Sequence, residues 1–205
     1  MSKTLTVPRV RGFRDLDVFA RAAVDTVCWP GEFPYKPEVR FAIAHDGSRL
    51  LIRFEVEEDN PRAMAMENNG PVWEDSCVEF FVKEPGSPFY FNFETNCIGT
   101  GLAAKRRSRE EYTHFDDARM ARVLRRSSLP HQPVDIRERT DWSLELEVPF
   151  DLICEGGKAP ERLQVNLYKC GDKTAVPHFL SWNPVEVPAP DFHRPEFFGT
   201  LILEP

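Results

Sequence analysis

Alternation with a period of two runs through most of the chain. In Leu50–Glu57 the positions Leu50, Ile52, Phe54 and Val56 are apolar while the intervening ones turn polar, which predicts a half-buried strand. RFAIA at 40–44 precedes it, and the Asp46-Gly47 step between them suits a tight hairpin turn, because glycine tolerates positive φ. Ser76–Val82 and Phe89–Cys97 flank the turn residues Pro85-Gly86-Ser87-Pro88 and read as a second pair. Trp142–Val148 alternates cleanly until Pro149, which cannot donate a ladder hydrogen bond. Leu163–Lys169 and Phe197–Leu203 read as late strands. Ala118–Arg126 fits either an edge strand or a short helix, and Leu16–Val24 a turn or two of helix. No segment carries a long amphipathic helical pattern.

The chain of 205 residues contains 18 prolines, most of them between the predicted strands. Many strands separated by Pro/Gly turns, with almost no helix, predict an all-β sandwich or open barrel. No low-complexity linker or internal repeat divides the chain, and Gly156–Pro160 reads as a loop, so residues 1–205 are expected to form one domain.

Strand parity separates the faces. Val78, Phe80 and Val82 form a core-facing set, with Cys77, Glu79 and Phe81 opposite. In the next strand Phe89, Phe91 and Phe93 share one face, and Tyr90, Asn92, Glu94 and Asn96 the other. If the apolar faces match, Glu79 lies among tyrosine, asparagine and glutamate side chains, and Gln164, Asn166 and Tyr168 add a further polar row. Such a face suits a neutral polyhydroxylated ligand: amides and carboxylates bond hydroxyls, and an aromatic plane covers the C–H face of a sugar ring. Trp73, just before the strand, and Trp182, near the end of a short apolar run, are candidate rim aromatics; each is equally open to a core position.

A formal charge of -7 disfavours nucleic acid as the main partner. Lys105, Arg106, Arg107 and Arg109 form a basic cluster that reads as a solvated loop. No window resembles a signal peptide or a membrane helix, so the chain reads as soluble, and as cytoplasmic if it is complete; a processed precursor would look the same. The five cysteines include no C-x-x-C pair and the histidines are scattered, which excludes zinc-finger spacing. The cysteines are expected to be reduced; a Cys77–Cys97 bridge would need neighbouring strands. Glu58-Asp59-Asn60 and Asp116-Asp117 offer hard oxygen ligands for calcium, without the helix-loop-helix pattern.

Enzymatic readings have weaker support. Glu74, Asp75, Glu79 and Glu94 could supply paired carboxylates for glycoside hydrolysis, but sequence does not fix their separation. No G-x-S-x-G elbow, H-E-x-x-H helix or glycine-rich phosphate loop occurs. A Ser181–His178–Asp191 triad can be drawn, with nothing in its context to activate the serine. No methionine or histidine is strongly placed as a haem ligand, Met64 and Met66 included.

The stretches VWEDSCVEFFV at 72–82, YFNFETNCIGT at 90–100, PHFLSWNP at 177–184 and PDFHRPEFFG at 190–199 resemble the family 9-like carbohydrate-binding modules over nearly the whole chain. That resemblance implies a two-sheet antiparallel sandwich, jelly-roll or immunoglobulin-like, related to DOMON-type sandwiches that include haem and sugar binders. Members hold the reducing ends of glucans or xylans between two tryptophans and carry structural calcium. On this pattern Trp73 and Trp182 match the two tryptophans, and Glu79 the acid six residues after the first. Asn92 and Glu94 occupy the strand where members place an arginine and an asparagine; this chain lacks that arginine. The tail Phe192–Gly199 is similar to that of a stand-alone bacterial branch, in which His193 and Arg194 would close the groove or anchor the loop before the last strand.

The expectation is therefore non-catalytic binding of a mono- or oligosaccharide by Trp73, Glu79, Asn92, Glu94 and Trp182, with calcium as a possible structural ion. The alternatives are a glycoside-acting enzyme using paired carboxylates, or an interaction domain without a small ligand. Oligomerisation is left open by the sequence.

Overall fold

The computed structural model describes residues 2–205, and its regular structure consists mostly of strands. In chain order they are β1 (Thr4–Val7), β2 (Ala22–Ala23), β3 (Thr26–Val27), β4 (Glu38–His45), β5 (Arg49–Asp59) and β6 (Arg62–Ala63). Then follow β7 (Cys77–Lys83), β8 (Tyr90–Asn96), β9 (Gly101–Arg106), β10 (Tyr112–His114), β11 (Leu124–Ser127) and β12 (Val134–Asp135). The last are β13 (Arg139–Pro149), β14 (Arg162–Cys170), β15 (Phe179–Ser181) and β16 (Gly199–Leu203).

The larger sheet runs β1-β16-β14-β7-β8-β9-β10, with β15 and β3 attached beside β14; the smaller runs β11-β13-β5-β4-β2. Pairing is antiparallel throughout both, except for β1 against β16. The two sheets make the sandwich that the alternation predicted, because each supplies one apolar face. Phe41, Ile52, Phe54, Leu144 and Leu146 from one sheet pack against Val78, Phe80, Phe93, Val165 and Leu167 from the other. At about 25 cal/mol per Å² of apolar surface removed from water, this interior is the main source of stability.

Local differences from the sequence reading have simple causes. Gly47 adopts a φ of 91° in the β4–β5 hairpin, as the Asp-Gly step requires. The stretch 118–126 is both alternatives in succession: a one-turn helix, Asp117–Met120, capped by the Asp116 carboxylate, then edge strand β11. Around 16–24 the chain forms a 3-10 turn at Phe13–Val18 and then β2. Among the described residues, no helix is long and apolar enough to cross a membrane.

The larger sheet is also covered on its outer face. Phe81, Tyr90 and Tyr168 point outward and meet Trp29, Val185, Phe192 and Phe198 from loops folded over them. Trp29 Nε1 donates to the Val187 carbonyl at 2.7 Å, and the Tyr168 hydroxyl donates to the Phe192 carbonyl while its ring stacks on Phe192 at 4.1 Å. Asn183 Nδ2 donates to the Phe197 carbonyl at 2.7 Å. This pinned flap, residues 185–198, leaves a cleft at the β7–β8–β9 end of the sheet.

Candidate functional site

The cleft is lined by Trp73, Glu79, Glu94, Arg106, Arg109, Tyr112, Cys170, Asp172, Phe179, Phe192 and His193. Its floor follows from strand parity and register. Glu79 and Glu94 are direct partners across β7 and β8, and Tyr168 partners Glu79 from the other side. Side chains opposed in this way have Cβ atoms about 4.5–5.5 Å apart, so the two carboxyl groups share one space.

A hydrogen-bonded relay fixes one of these acids. Asn92 is fully buried; its Nδ2 donates to Glu94 Oε1 at 2.8 Å, and its Oδ1 accepts from Arg106 Nε at 2.7 Å. Arg106 also donates to the Arg109 carbonyl at 2.8 Å and lies over the Tyr112 ring at 4.2 Å. The second acid is held differently, by the Cys170 thiol donating to Glu79 Oε1 at 3.0 Å. Asn92 thus positions Glu94 and does not line the cleft.

Burial sets the protonation of the floor. It lifts the Glu79 carboxyl well above the usual carboxylate range, with the nearby Glu94 charge adding to the effect. Burial pushes Glu94 up to about 7, against the hydrogen bond from Asn92 and the charge of Arg106. Asp172 at the rim is raised to about 6 by burial and by Glu74. His193 is pushed down to about 3 by burial, Arg106 and Arg109, so it stays neutral while it shares a hydrogen bond with the Tyr90 hydroxyl at 3.1 Å. Near neutral pH the floor therefore offers a carboxylic acid O–H donor, a carboxylate and a guanidinium together.

Trp73 stands on the rim in a 3-10 turn, Val72–Glu74, and is 38% exposed. The turn is tied to the end of β14: Asp172 N donates to the Trp73 carbonyl at 3.2 Å, and Lys173 N to the Glu74 carbonyl at 2.9 Å. Trp182 lies elsewhere. It shares the parity of Leu180, points between the sheets, is 4% exposed and meets Phe41 edge-on at 6.1 Å. The expected pair of facing tryptophans is thereby corrected to one, with Tyr112, Phe179 and Phe192 as further aromatic side chains of the cleft.

Other sequence expectations resolve in place. Arg106, read as part of a solvated basic loop, is 6% exposed and forms part of the cleft wall. It brings a guanidinium to this face from β9, although β8 carries none. His193 lines the cleft, whereas Arg194 pairs with Asp191 and Glu196 within the flap itself. His178 is turned to Lys169, Ser181 to Cys28 and Asp191 to Arg109 and Arg194, so no triad forms. All five cysteines are free, and Cys77 and Cys97 lie on opposite faces of the sheet. The Asp75 carboxylate is engaged by Arg62, the Met64 and Ala65 backbone N–H groups and Asn96, and Glu58 by Lys169 and Trp142.

Residues 12–203 match the family described as carbohydrate-binding family 9. A Bacteroides uniformis protein assigned to carbohydrate binding is 37% identical over 100% of both chains, with a TM-score of 0.92. A family 9 carbohydrate-binding module from Caldicellulosiruptor kristjanssonii, solved with cellotriose, is 11% identical over 98% of this chain and 94% of its own, with a TM-score of 0.63. The same organism's module solved with glucose is 11% identical over 98% and 96%, with a TM-score of 0.59. No curated protein matches the sequence at a significant level.

Proposed function

Because the chain belongs to carbohydrate-binding family 9, we propose that it binds a saccharide, without chemical conversion, in the cleft between Trp73 and the Glu79–Glu94 floor. The observation that carries this reading is the joining of one exposed aromatic plane to a buried donor–acceptor floor. A protonated Glu79, a Glu94 held by Asn92, and Arg106 offer bonds in both senses to vicinal hydroxyls, while Trp73 offers a face for ring C–H groups. The cleft holds about 220 Å³, below the range of drug-sized pockets, so it takes a single ring or the end of a longer chain. The C. kristjanssonii modules solved with cellotriose and with glucose support the ligand class.

Of the four tryptophans, only Trp73 is exposed. Titration with a panel of neutral mono- and oligosaccharides is expected to change tryptophan emission in the wild type and not in Trp73→Ala. A panel that moves neither emission nor calorimetric heat removes the reading.

The opposed carboxyls also meet the first requirement of the glycoside-acting alternative, a facing acid pair. Incubation of the same panel with the protein separates the two, because binding leaves each saccharide intact and hydrolysis releases new reducing ends.

A further inference from the structure

The cleft floor contains a second donor set that saccharide binding does not require. Cys77 and Glu79 are two residues apart on β7, so the pleat directs both to the cleft face, and Cys170 is the direct partner of Cys77 across the β7–β14 ladder. The three side chains form a triangle: Sγ of Cys77, Sγ of Cys170 and a Glu79 carboxylate oxygen all lie within 4.8 Å of one another. All three residues are buried, and Glu79 and Cys170 border the cleft while Cys77 lies beneath.

We propose that Cys77, Glu79 and Cys170 form a site for a thiophilic divalent cation of the zinc class, with a fourth coordination position open to the cleft. Zn–S bonds of about 2.3 Å and Zn–O bonds of about 2.0–2.2 Å place tetrahedral ligand atoms roughly 3.3–3.8 Å apart. The ligand atoms of the cluster lie within 4.8 Å of one another, and side-chain rotation on fixed strands closes the remainder. Three protein ligands with one free position is the arrangement of exposed zinc centres, whereas structural centres carry four. Two sulfurs select zinc, cadmium or cobalt over calcium and magnesium, so this site is chemically distinct from any oxygen-ligated calcium site.

Burial raises the Cys77 thiol and the Glu79 carboxyl, so proton loss opposes coordination and the metal–ligand bonds must outweigh it. Coordination exchanges the two thiol protons and the Glu79 proton for the ion, and affinity therefore rises with pH. The thiol donating to Glu79 at 3.0 Å shows that sulfur and oxygen already approach one another here.

The test uses the full chain, reduced, free of metal and free of saccharide, titrated anaerobically with Co²⁺. The expected result is one equivalent bound with a thiolate-to-cobalt charge-transfer band in the near ultraviolet. That band is lost in Cys77→Ser and in Cys170→Ser and kept in Cys28→Ser and Cys154→Ser, all checked for folding by circular dichroism. A wild type without the band, or a band that survives both Cys77→Ser and Cys170→Ser, overturns the site. If those two variants do not fold, X-ray absorption at the zinc edge of the zinc-loaded wild type decides: a first shell with two sulfurs and lighter atoms supports the site, and fewer than two sulfurs overturns it. Saccharide titration of the metal-free protein is scored separately, so failure of either reading leaves the other standing.

Discussion

Glu79 and Glu94 face each other across the β7–β8 ladder, and each is only 4% exposed. Two acids so placed cannot both ionise without strong repulsion in a poorly solvated space, and the pair keeps a proton. Glu94 carries the readable consequence. Its folded value of about 7 stands above its ordinary value of 4.5, so the folded chain holds a proton that the unfolded chain releases. The contribution is fully present below pH ~4.5 and is lost as pH rises through ~7, on the order of 3 kcal/mol. Neutral His193 acts in the opposite sense, because it disfavours folding as pH falls below its ordinary value of 6.5. The difference between wild type and Glu94→Gln isolates the acid: urea midpoints are expected to diverge between pH 5 and 8, with the wild type falling more steeply. Parallel curves over that range would show that Glu94 is ordinarily acidic.

A second buried charge pair joins the two sheets. Lys169 Nζ lies 3.0 Å from Glu58 Oε2, donates to the Cys170 carbonyl at 3.0 Å and meets His178 Nε2 at 2.7 Å. Glu58 Oε1 accepts from Trp142 Nε1 at 2.7 Å. Removal of one partner leaves the other charged and buried, so Lys169→Met is expected to destabilise by about 3–5 kcal/mol. Adding Glu58→Gln to that variant is expected to recover part of the loss, read as a non-additive double-mutant cycle in urea. Strict additivity would show that the two side chains do not act as a pair.

These two sites also show how far the chain's pattern could be read. The inward set of β5 continues its parity through Val56 to Glu58, and that of β14 continues through Leu167 to Lys169, so both charges stand at core positions in the alternation itself. The outward face with Glu79, Asn92 and Glu94 is legible for the same reason, because a period of two is a local property. Trp182 was also within reach, since it shares the parity of Leu180; the brevity of β15 hid the signal. Arg106 was not. Its burial depends on Asn92, 14 residues earlier on the neighbouring strand, and on Tyr112 covering it, and nothing in KRRSR separates it from its solvated neighbours. The flap that shapes the cleft is irregular, and its contact with Trp29 joins residues 158 positions apart in the chain.

Trp182 imposes a tight steric condition on the last strand. A Cβ added at Gly199 would lie 2.4 Å from Trp182 Cζ3 and 2.8 Å from the Lys3 carbonyl. One obstacle is a core indole and the other is backbone that accepts the Thr200 N–H at 2.9 Å, so neither can retreat cheaply. Gly199→Ala is expected to destabilise by about 1–3 kcal/mol through overpacking, with a lowered thermal midpoint. Trp182→Leu is also destabilising alone, yet should lessen the effect of Gly199→Ala in the double variant. An unchanged effect would place the clash at Lys3 instead.

The rim and the core tryptophans make the saccharide reading divisible into affinity and stability. Trp73 is exposed and packs over no part of the inter-sheet core, so Trp73→Ala should leave the thermal midpoint close to wild type. Loss of an aromatic stacking partner is expected to weaken saccharide binding by about 0.5–1.5 kcal/mol, roughly 2- to 12-fold. Trp182→Phe should do the reverse, lowering stability while leaving affinity within error, because its ring lies between the sheets. Arg106→Lys probes the floor in the same way: it keeps the charge but loses the planar contact to Asn92 and Tyr112, so Glu94 loses its alignment and affinity falls. Calorimetric titration of the three variants with one saccharide that binds the wild type, alongside thermal melts, reads both quantities. Equal affinity in Trp73→Ala and Arg106→Lys would move the binding surface away from this cleft.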